Sequence, residues 1–239
     1  MRMPGAAWIG PTVNRTPGQM STVVGVVLHI QQGTEAGTEA WQRNPRSQIS
    51  SHFLLPKAGG VRQMVDTADK AWCEVAGNRH WLSVECEGRS GEYLTGDQLE
   101  AAAKVLLFAH QAYRVRLATC DDAGAASPDT GGLGYHSMGG VAWGDHPDCP
   151  GRPVIVQRGL IVIRAKQLGD YVDALNPTER RQLTDIDWEV SAGIPDPEAA
   201  DPAATRIPLH VAVYRLLVKV GQLEADMAKV LAALTPPAP

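Results

Sequence analysis

The sequence lacks several features that would each point to a particular class of protein. Its 239 residues carry a formal net charge of −4, so no basic field exists to hold nucleic acid or an anionic surface. The four cysteines include no CxxC pair, which argues against a disulfide scaffold. No apolar run approaches the roughly 18 residues that a membrane span needs. What is left is an ordinary globular composition, 44% hydrophobic and 20% charged.

The N-terminal stretch MRMPGAAWIGPTVNR also lacks an apolar core of signal-peptide length. We therefore expect the chain to be made in the cytoplasm without a secretory signal. Any action outside the membrane would need another factor to release the protein.

Short apolar runs and helical patterns alternate irregularly over residues 1–170. The runs predict strands at 23–30, 51–56, 61–66 and 81–88. Thr95 and Gln98 form a possible capping box that opens an amphipathic helix to about Tyr113. This order predicts an α/β domain with a central mixed β-sheet flanked by helices.

The remainder of the chain has a different composition. Residues 171–204 are predicted to be a linker or small accessory segment, rich in Pro, Ala and acidic residues near its end. Residues 205–235 carry two apolar series with a seven-residue period: Leu209, Leu216, Leu223 and Val230, and Val213, Val220, Met227 and Leu234. This heptad pattern predicts a helix that either packs on its own domain or forms a short coiled coil in a homo-oligomer.

The coiled-coil alternative makes a prediction about mass. Changing both Leu216 and Leu223 to lysine places charges in the apolar seam, so we expect an oligomer to dissociate to monomers while the rest of the protein stays folded. Light scattering measures the mass directly. An unchanged mass would discard the coiled-coil interpretation.

Three potential metal ligands stand at the ends of different predicted elements. His29 ends the first apolar strand, His136 follows a Gly-rich loop, and Cys149 precedes a Pro-Gly turn. Taken singly, His29 is explained as a core histidine and His136 as a loop histidine. Together, two imidazoles and a thiolate make a three-ligand zinc site with one position open for water.

Seven separated motifs carry a family resemblance over about residues 8–168. They are LHIQQGT, SSHFLLPKAGGVRQMVDTADKAW, GN, SVECEG, LTGDQL, GYHSMGG and HPDCPG. Their order resembles that of the zinc-dependent N-acetylmuramoyl-L-alanine amidases of the type-2 fold, which include phage endolysins and peptidoglycan recognition proteins. The chain is most similar to amidase lysins of phages that infect actinobacteria. The resemblance implies Zn²⁺ as cofactor, bacterial peptidoglycan as partner, and cleavage of the amide between N-acetylmuramic acid and L-alanine.

The resemblance also assigns roles to individual residues. It implies that His29, His136 and Cys149 bind zinc, and that Glu85 of SVECEG faces the metal as general base. Because side chains alternate along a strand, Cys86 is expected to point into the core instead.

Two departures from the family pattern bear on the site. Many relatives carry a lysine where this chain has Pro147, which donates no hydrogen bond. His146 is the candidate replacement as oxyanion donor, with a supporting or surface role and metal ligation as alternatives. Cys73 stands where relatives often have a histidine, and is expected to be a groove-wall or buried thiol.

Further residues are candidates for contacting the substrate. Trp72 and Trp143 have aromatic faces that can stack on sugar or peptide, and Asn78 has an amide that can fix a peptide carbonyl. A structural role is the alternative for each. His52 is expected to lie in the core or next to the site.

Three functions remain open at this point. The first is a hydrolase, either a phage endolysin that stays in the host cytoplasm until release or a cytoplasmic amidase that recycles muropeptides. The second is a module that binds peptidoglycan without cutting it. The third is a purely structural zinc site, which would need a fourth protein ligand such as His146.

Overall fold

The computed structural model describes residues 1–124 and 126–174, together with residues 194–195 and 206–207. The chain divides into two compact units, Met1–Val172 and Asp173–Pro239. The division into a catalytic domain, a linker and a heptad-patterned helix stays a prediction. The predicted heptad helix lies outside the described residues, apart from 206–207.

The first unit contains eight of the described strands, two complete α-helices and all but the last two residues of a third. The strands are β1 (Ala7–Trp8), β2 (Arg15–Thr16), β3 (Gly25–Ile30), β4 (Phe53–Leu55), β5 (Arg62–Gln63), β6 (Lys70–Ala71), β7 (Trp81–Cys86) and β8 (Leu133–Tyr135). The helices are α1 (Glu35–Arg43), α2 (Gly96–Tyr113) and α3 (Arg152–Ala174), with 3₁₀ helices at Val75–Gly77 and His136–Trp143. In the second unit, β9 (Ile194–Pro195) and β10 (Arg206–Ile207) pair antiparallel.

The predicted mixed sheet is confirmed. Six strands lie in the order β1-β5-β4-β7-β3-β8, and β5 is antiparallel to β4 while the other neighbouring pairs are parallel. Strands β2 and β6 form a separate antiparallel pair. The register between β3 and β7 sets His29 directly opposite Glu85.

Strand β3 lies inside the sheet, between β7 and β8, and is buried along its whole length. A strand in the middle of a parallel sheet is covered on both faces, so it has the continuous apolar run seen here rather than an alternating pattern. Helix α2 contacts β3 and β4. It begins with the predicted capping box, in which Thr95 Oγ1 accepts from the Gln98 amide at 3.2 Å and Gln98 Oε1 accepts from the Thr95 amide at 3.1 Å.

Helix α3 is fixed to neighbouring elements by polar contacts at its buried face. The Arg164 guanidinium pairs with Glu100 of α2 at 2.6 Å. The Gln157 amide bonds to both backbone polar groups of Leu94, at 2.8 and 3.1 Å. These contacts hold the segment after Cys149 against the domain. Within the part of the chain that the structure describes, no helix is both long and apolar enough to cross a membrane.

His52 is a core residue with both ring nitrogens satisfied. Its Nδ1 accepts from the backbone N–H of Ser83 at 3.1 Å, and its Nε2 donates to the Asp69 carbonyl at 3.1 Å. Burial lowers its pKa from 6.5 to about 4, since the protonated ring is disfavoured away from water. The ring therefore stays neutral in the folded protein well below the pH at which an exposed histidine titrates.

This burial predicts acid destabilisation. The folded-state pKa lies below the unfolded value, so the unfolded chain takes up the proton first as the pH falls. The contribution of neutral, buried His52 to the free energy of unfolding is therefore complete above about pH 6.5 and is lost as the pH falls towards 4. The loss is on the order of 3 kcal/mol. Urea unfolding at pH 7 and pH 4.5 should show a smaller pH effect in His52→Gln than in the unmodified protein. Equal pH effects would contradict this assignment.

Candidate metal centre

The candidate site lies at the carboxyl ends of three neighbouring parallel strands. Strand β3 ends just after His29, β7 ends just after Glu85, and β8 is followed directly by His136. The carboxyl edge of parallel strands is where α/β sheets commonly bind ligands, because the following loops open outward there. The sheet therefore brings together residues that are far apart in sequence.

The predicted ligands His29, His136 and Cys149 converge at this edge. One potential ligand atom from each lies within 4.8 Å of the other two. The imidazole rings of His29 and His136 are 4.3 Å apart between centroids, and Cys149 Sγ is 3.9 Å from His29 Nδ1. Both histidines are buried and Cys149 is half-buried. Two nitrogens and one sulfur in this arrangement fit the donor set of a zinc ion.

The loop after β8 is shaped to deliver His136. A Cβ on Gly139 would lie 2.1 Å from the Trp143 ring, so only glycine lets the 3₁₀ turn close over that side chain. The Trp143 carbonyl then accepts a hydrogen bond from His136 Nε2 at 3.0 Å. Because a carbonyl only accepts, Nε2 carries the proton and Nδ1 is free to bind a metal.

Cys149 is held by its backbone. Its carbonyl accepts from the Ser137 amide at 2.9 Å, and its amide donates to the His146 carbonyl at 3.1 Å. Gly151 follows with a φ of 92°, a conformation that glycine adopts without strain. The thiol is thus presented next to His29 by a turn whose shape depends on these contacts.

The two imidazoles differ in electrostatic surroundings. Burial and the neighbouring His29 lower the pKa of His136 to about 3, so His136 is neutral, the form that binds metal. Burial alone would also lower the pKa of His29. Its contacts with Cys73, Cys149 and Glu74 overcome this effect and raise the pKa well above 6.5. A metal ion at Nδ1 of His29 would therefore displace a proton.

Glu85 is placed to act beside the ligands. It lies opposite His29 in the strand register, and its Oε2 is buried without a hydrogen-bond partner among the described residues. Burial raises its pKa above 4.5, with the nearby Glu74 carboxyl contributing in the same direction. A carboxylate with a raised pKa and a free buried oxygen is suited to accept and return a proton.

Two neighbouring residues from the loop before the first 3₁₀ helix complete the cluster. Cys73 Sγ lies 3.6 Å from His29 Nε2 and 3.8 Å from Glu85 Oε1, and these three residues form a second group of converging potential ligands. Glu74 is fully buried, with Oε1 3.1 Å from His29 Nε2. Glu74 was missed in the sequence, since a glutamate in a loop is ordinarily expected to be solvated.

Residues 19–152 match the model of the family Amidase_2, described as N-acetylmuramoyl-L-alanine amidase. The chain belongs to this amidase family. The family predicted from the motif order is thereby confirmed. Zinc dependence and a relation to actinobacterial phages stay predictions.

Individual proteins resemble this chain in sequence or in fold. The chain is 34% identical over 68 residues to N-acetylmuramoyl-L-alanine amidase A of Achromobacter lyticus, a match that covers 28% of this chain and 38% of that protein. The fold is similar to that of the Staphylococcus aureus hydrolase AmiA, solved in complex with its ligand: the TM-score is 0.55 at 14% identity, covering 74% of this chain and 89% of AmiA. A mutant form of PlyL matches with a TM-score of 0.50 at 14% identity, over 67% of this chain and 98% of PlyL.

The remaining predicted site residues of this amidase-family chain fall into different places. His146 is exposed, and its ring lies 4.6 Å from that of His136, at the rim of the cluster. Trp72 is half-buried and donates from Nε1 to Thr16 Oγ1 at 2.9 Å. Neither observation tests the proposed contacts with substrate.

Two of the predicted groove residues have clear structural roles. Asn78 Oδ1 accepts from the backbone amides of Cys73 and Glu74, at 2.8 and 2.6 Å, so this oxygen holds the loop rather than facing a ligand. Trp143 is only 4% exposed and packs edge-on against Trp81 at 5.4 Å between ring centroids. Trp143 therefore packs in the core and positions His136 through its carbonyl, while its contact with substrate stays a prediction.

An open cavity of about 330 Å³ lies beside Glu85. Its lining includes the polar side chains of Gln31 and Gln32 and the indole of Trp41, which is 55% exposed. Gln31 Oε1 is buried without a partner among the described residues. This groove wall from α1 and the loop before it was not predicted, because Trp41 looked like an ordinary residue of an amphipathic helix.

Proposed function

We propose that this chain is a zinc-dependent N-acetylmuramoyl-L-alanine amidase that hydrolyses the bond between N-acetylmuramic acid and the L-alanine of the stem peptide. The observation that carries the proposal is the convergence of His29, His136 and Cys149 next to Glu85. Membership of the amidase family supports the same reaction. His29, His136 and Cys149 would hold the ion, which when bound would lower the pKa of a water and polarise the scissile carbonyl.

The protein groups then divide the proton transfers. Glu85 takes a proton from the attacking water while the oxygen of that water bonds to the lactyl carbonyl carbon. The C–N bond breaks, Glu85 returns the proton to the departing amine, and the products are a lactyl carboxylate and a free L-alanine amino group. The unpartnered Oε2 of Glu85 supports this role, because no hydrogen bond within the described residues occupies that oxygen.

His146 is the proposed donor to the oxyanion. Its ring lies 4.6 Å from His136 at the exposed rim, whereas Pro147, at the position of the lysine in many relatives, has no N–H to offer. A neutral or protonated imidazole supplies one donor there.

Incubation with purified peptidoglycan tests the reaction. The protein should release fragments with new free L-alanine amino termini, identified by mass spectrometry, and a chelator should abolish them until zinc is restored. Binding to the wall without new ends would support a recognition module in place of the enzyme. Cleavage that a chelator leaves untouched would rule out the metal.

We further propose that the enzyme is an endolysin that degrades the host wall after release from the cytoplasm. The heptad-patterned extension at 205–235 supports this role, since an enzyme that recycles soluble muropeptides needs no oligomerising segment. Comparison of rates separates the two roles. An endolysin should cleave intact sacculi efficiently, whereas turnover confined to soluble muropeptides would identify a recycling amidase.

A further inference from the structure

A fully buried carboxylate next to a candidate metal ligand needs an explanation. The Glu74 side chain is 0% exposed, its Oε1 lies 3.1 Å from His29 Nε2, and its Oε2 has no hydrogen-bond partner among the described residues. Burying a carboxylate is costly unless an opposite charge compensates it. The group that faces this carboxylate is the ring of His29. The compensating positive charge is therefore carried either by the protonated ring or by a metal ion bound to it.

The position of this carboxylate is fixed by the backbone around it. Asn78 Oδ1 accepts from the Glu74 amide at 2.6 Å, and the Glu74 carbonyl accepts from the Gly77 amide at 2.7 Å. The loop therefore holds Glu74 against His29 with short hydrogen bonds. A side chain placed in this way has little freedom to turn towards solvent.

A carboxylate at Nε2 decides which nitrogen of His29 is available. An ionised carboxylate accepts only, so once the ring has lost its second proton, the remaining proton stays on Nε2 and the lone pair lies on Nδ1. Nδ1 is the atom that lies 3.9 Å from Cys149 Sγ. The Trp143 carbonyl plays the corresponding part for His136, but it carries no charge.

Charge balance points the same way. A divalent ion held by one thiolate and two neutral imidazoles leaves one positive charge in a buried place. The Glu74 carboxylate, like that of Glu85, offsets part of the charge of the ion, and it does so through the ring of His29, which also becomes a stronger ligand. Glu85 then keeps its own oxygens for the proton transfer.

We propose that Glu74 is a positioning residue for the metal: it orients His29, keeps Nδ1 free and offsets the charge of the bound ion. This inference rests on the proposed zinc site. In that site Glu74 contacts neither the substrate nor the metal, so Glu74 acts through His29 alone. Outer partners of this kind change metal affinity by about 10–100-fold.

Zinc affinity of the full chain tests the role. Competition with a chromophoric chelator gives the Kd for the unmodified protein, for Glu74→Gln and for Glu92→Gln, a control whose exposed carboxylate pairs with Lys57. We expect Glu74→Gln to bind zinc about 10–100-fold more weakly and Glu92→Gln to be unchanged. Glu74→Asp keeps the charge at a greater distance from His29, so its Kd for zinc should lie between those of the unmodified protein and Glu74→Gln. This variant serves as the test if Glu74→Gln fails to fold.

The thermal stability of the metal-free proteins distinguishes positioning from a merely structural role. A structural role predicts that the Glu74 variants melt at lower temperature while the folded protein binds zinc as tightly as before, and that result would overturn the inference. If the unmodified protein binds no zinc, both the proposed function and the inference about Glu74 fail. If the unmodified protein binds zinc and Glu74→Gln binds it equally well, only the role of Glu74 is refuted.

Discussion

Glu85→Gln is expected to keep bound zinc and to lower turnover by roughly 10²–10⁴-fold, the usual effect of losing a positioned proton carrier. Glutamine matches the size of glutamate but cannot take a proton from water. Glu85 is not among the three proposed zinc ligands, and its Oε2 has no partner that the substitution would disrupt. The measurement is kcat on a defined muropeptide, with the zinc content determined on the same preparation.

Glu87→Gln is the matched control for that variant. Glu87 follows two residues later, and its Oε2 accepts from the Lys57 amide at 2.7 Å, an interaction that a glutamine oxygen can maintain. We expect turnover close to that of the unmodified protein. Full activity in Glu85→Gln would show that the base lies elsewhere.

Cys149→Ser is expected to remove both tightly held zinc and activity. A neutral hydroxyl is a poor substitute for a thiolate, and the two histidines alone leave the ion without its softest ligand. Cys149 is half-buried at the open side of the cluster, so the fold should tolerate the smaller atom. Metal analysis after gel filtration, combined with the wall-cleavage assay, measures both losses in one sample.

Two other cysteine variants serve as controls for this result. Cys120→Ser changes a buried thiol that bonds to the Asp122 carbonyl, a contact that a hydroxyl can also make, and it should retain zinc. Cys73→Ser distinguishes the two groups of converging ligands, because only the alternative group of His29, Cys73 and Glu85 depends on it. Zinc retained in Cys149→Ser and lost in Cys73→Ser would refute the proposed ligand set.

The elements of the fold were predictable where short-range signals determine them. The capping box at Thr95 placed the start of α2 at the residue where the structure begins it. The apolar runs around His29 and Glu85 likewise marked β3 and β7. The three ligand candidates could be named because His and Cys stand at the ends of such elements, and the resemblance to a family supplied their common purpose.

The residues that support the ligands could not be predicted in the same way. The burial of Glu74 depends on a loop folding over the end of β3, a contact between positions 45 residues apart. The strand register that places Glu85 beside His29 depends on a pairing 56 residues apart in sequence, which no local pattern encodes, so Glu85 was named through the family resemblance alone. Trp143 illustrates the same limit, since aromatic residues in Gly-rich loops occur both in grooves and in cores.

Diffraction from crystals grown with zinc, recorded on both sides of the zinc absorption edge, would test the proposed metal centre most directly. The proposal predicts one strong anomalous peak coordinated by His29, His136 and Cys149, with Glu85 near the ion but not bound to it. A peak coordinated by His29, Cys73 and Glu85 would refute the ligand set and remove Glu85 from its role as base. A zinc-soaked crystal with no peak at this edge of the sheet would contradict the metal mechanism itself.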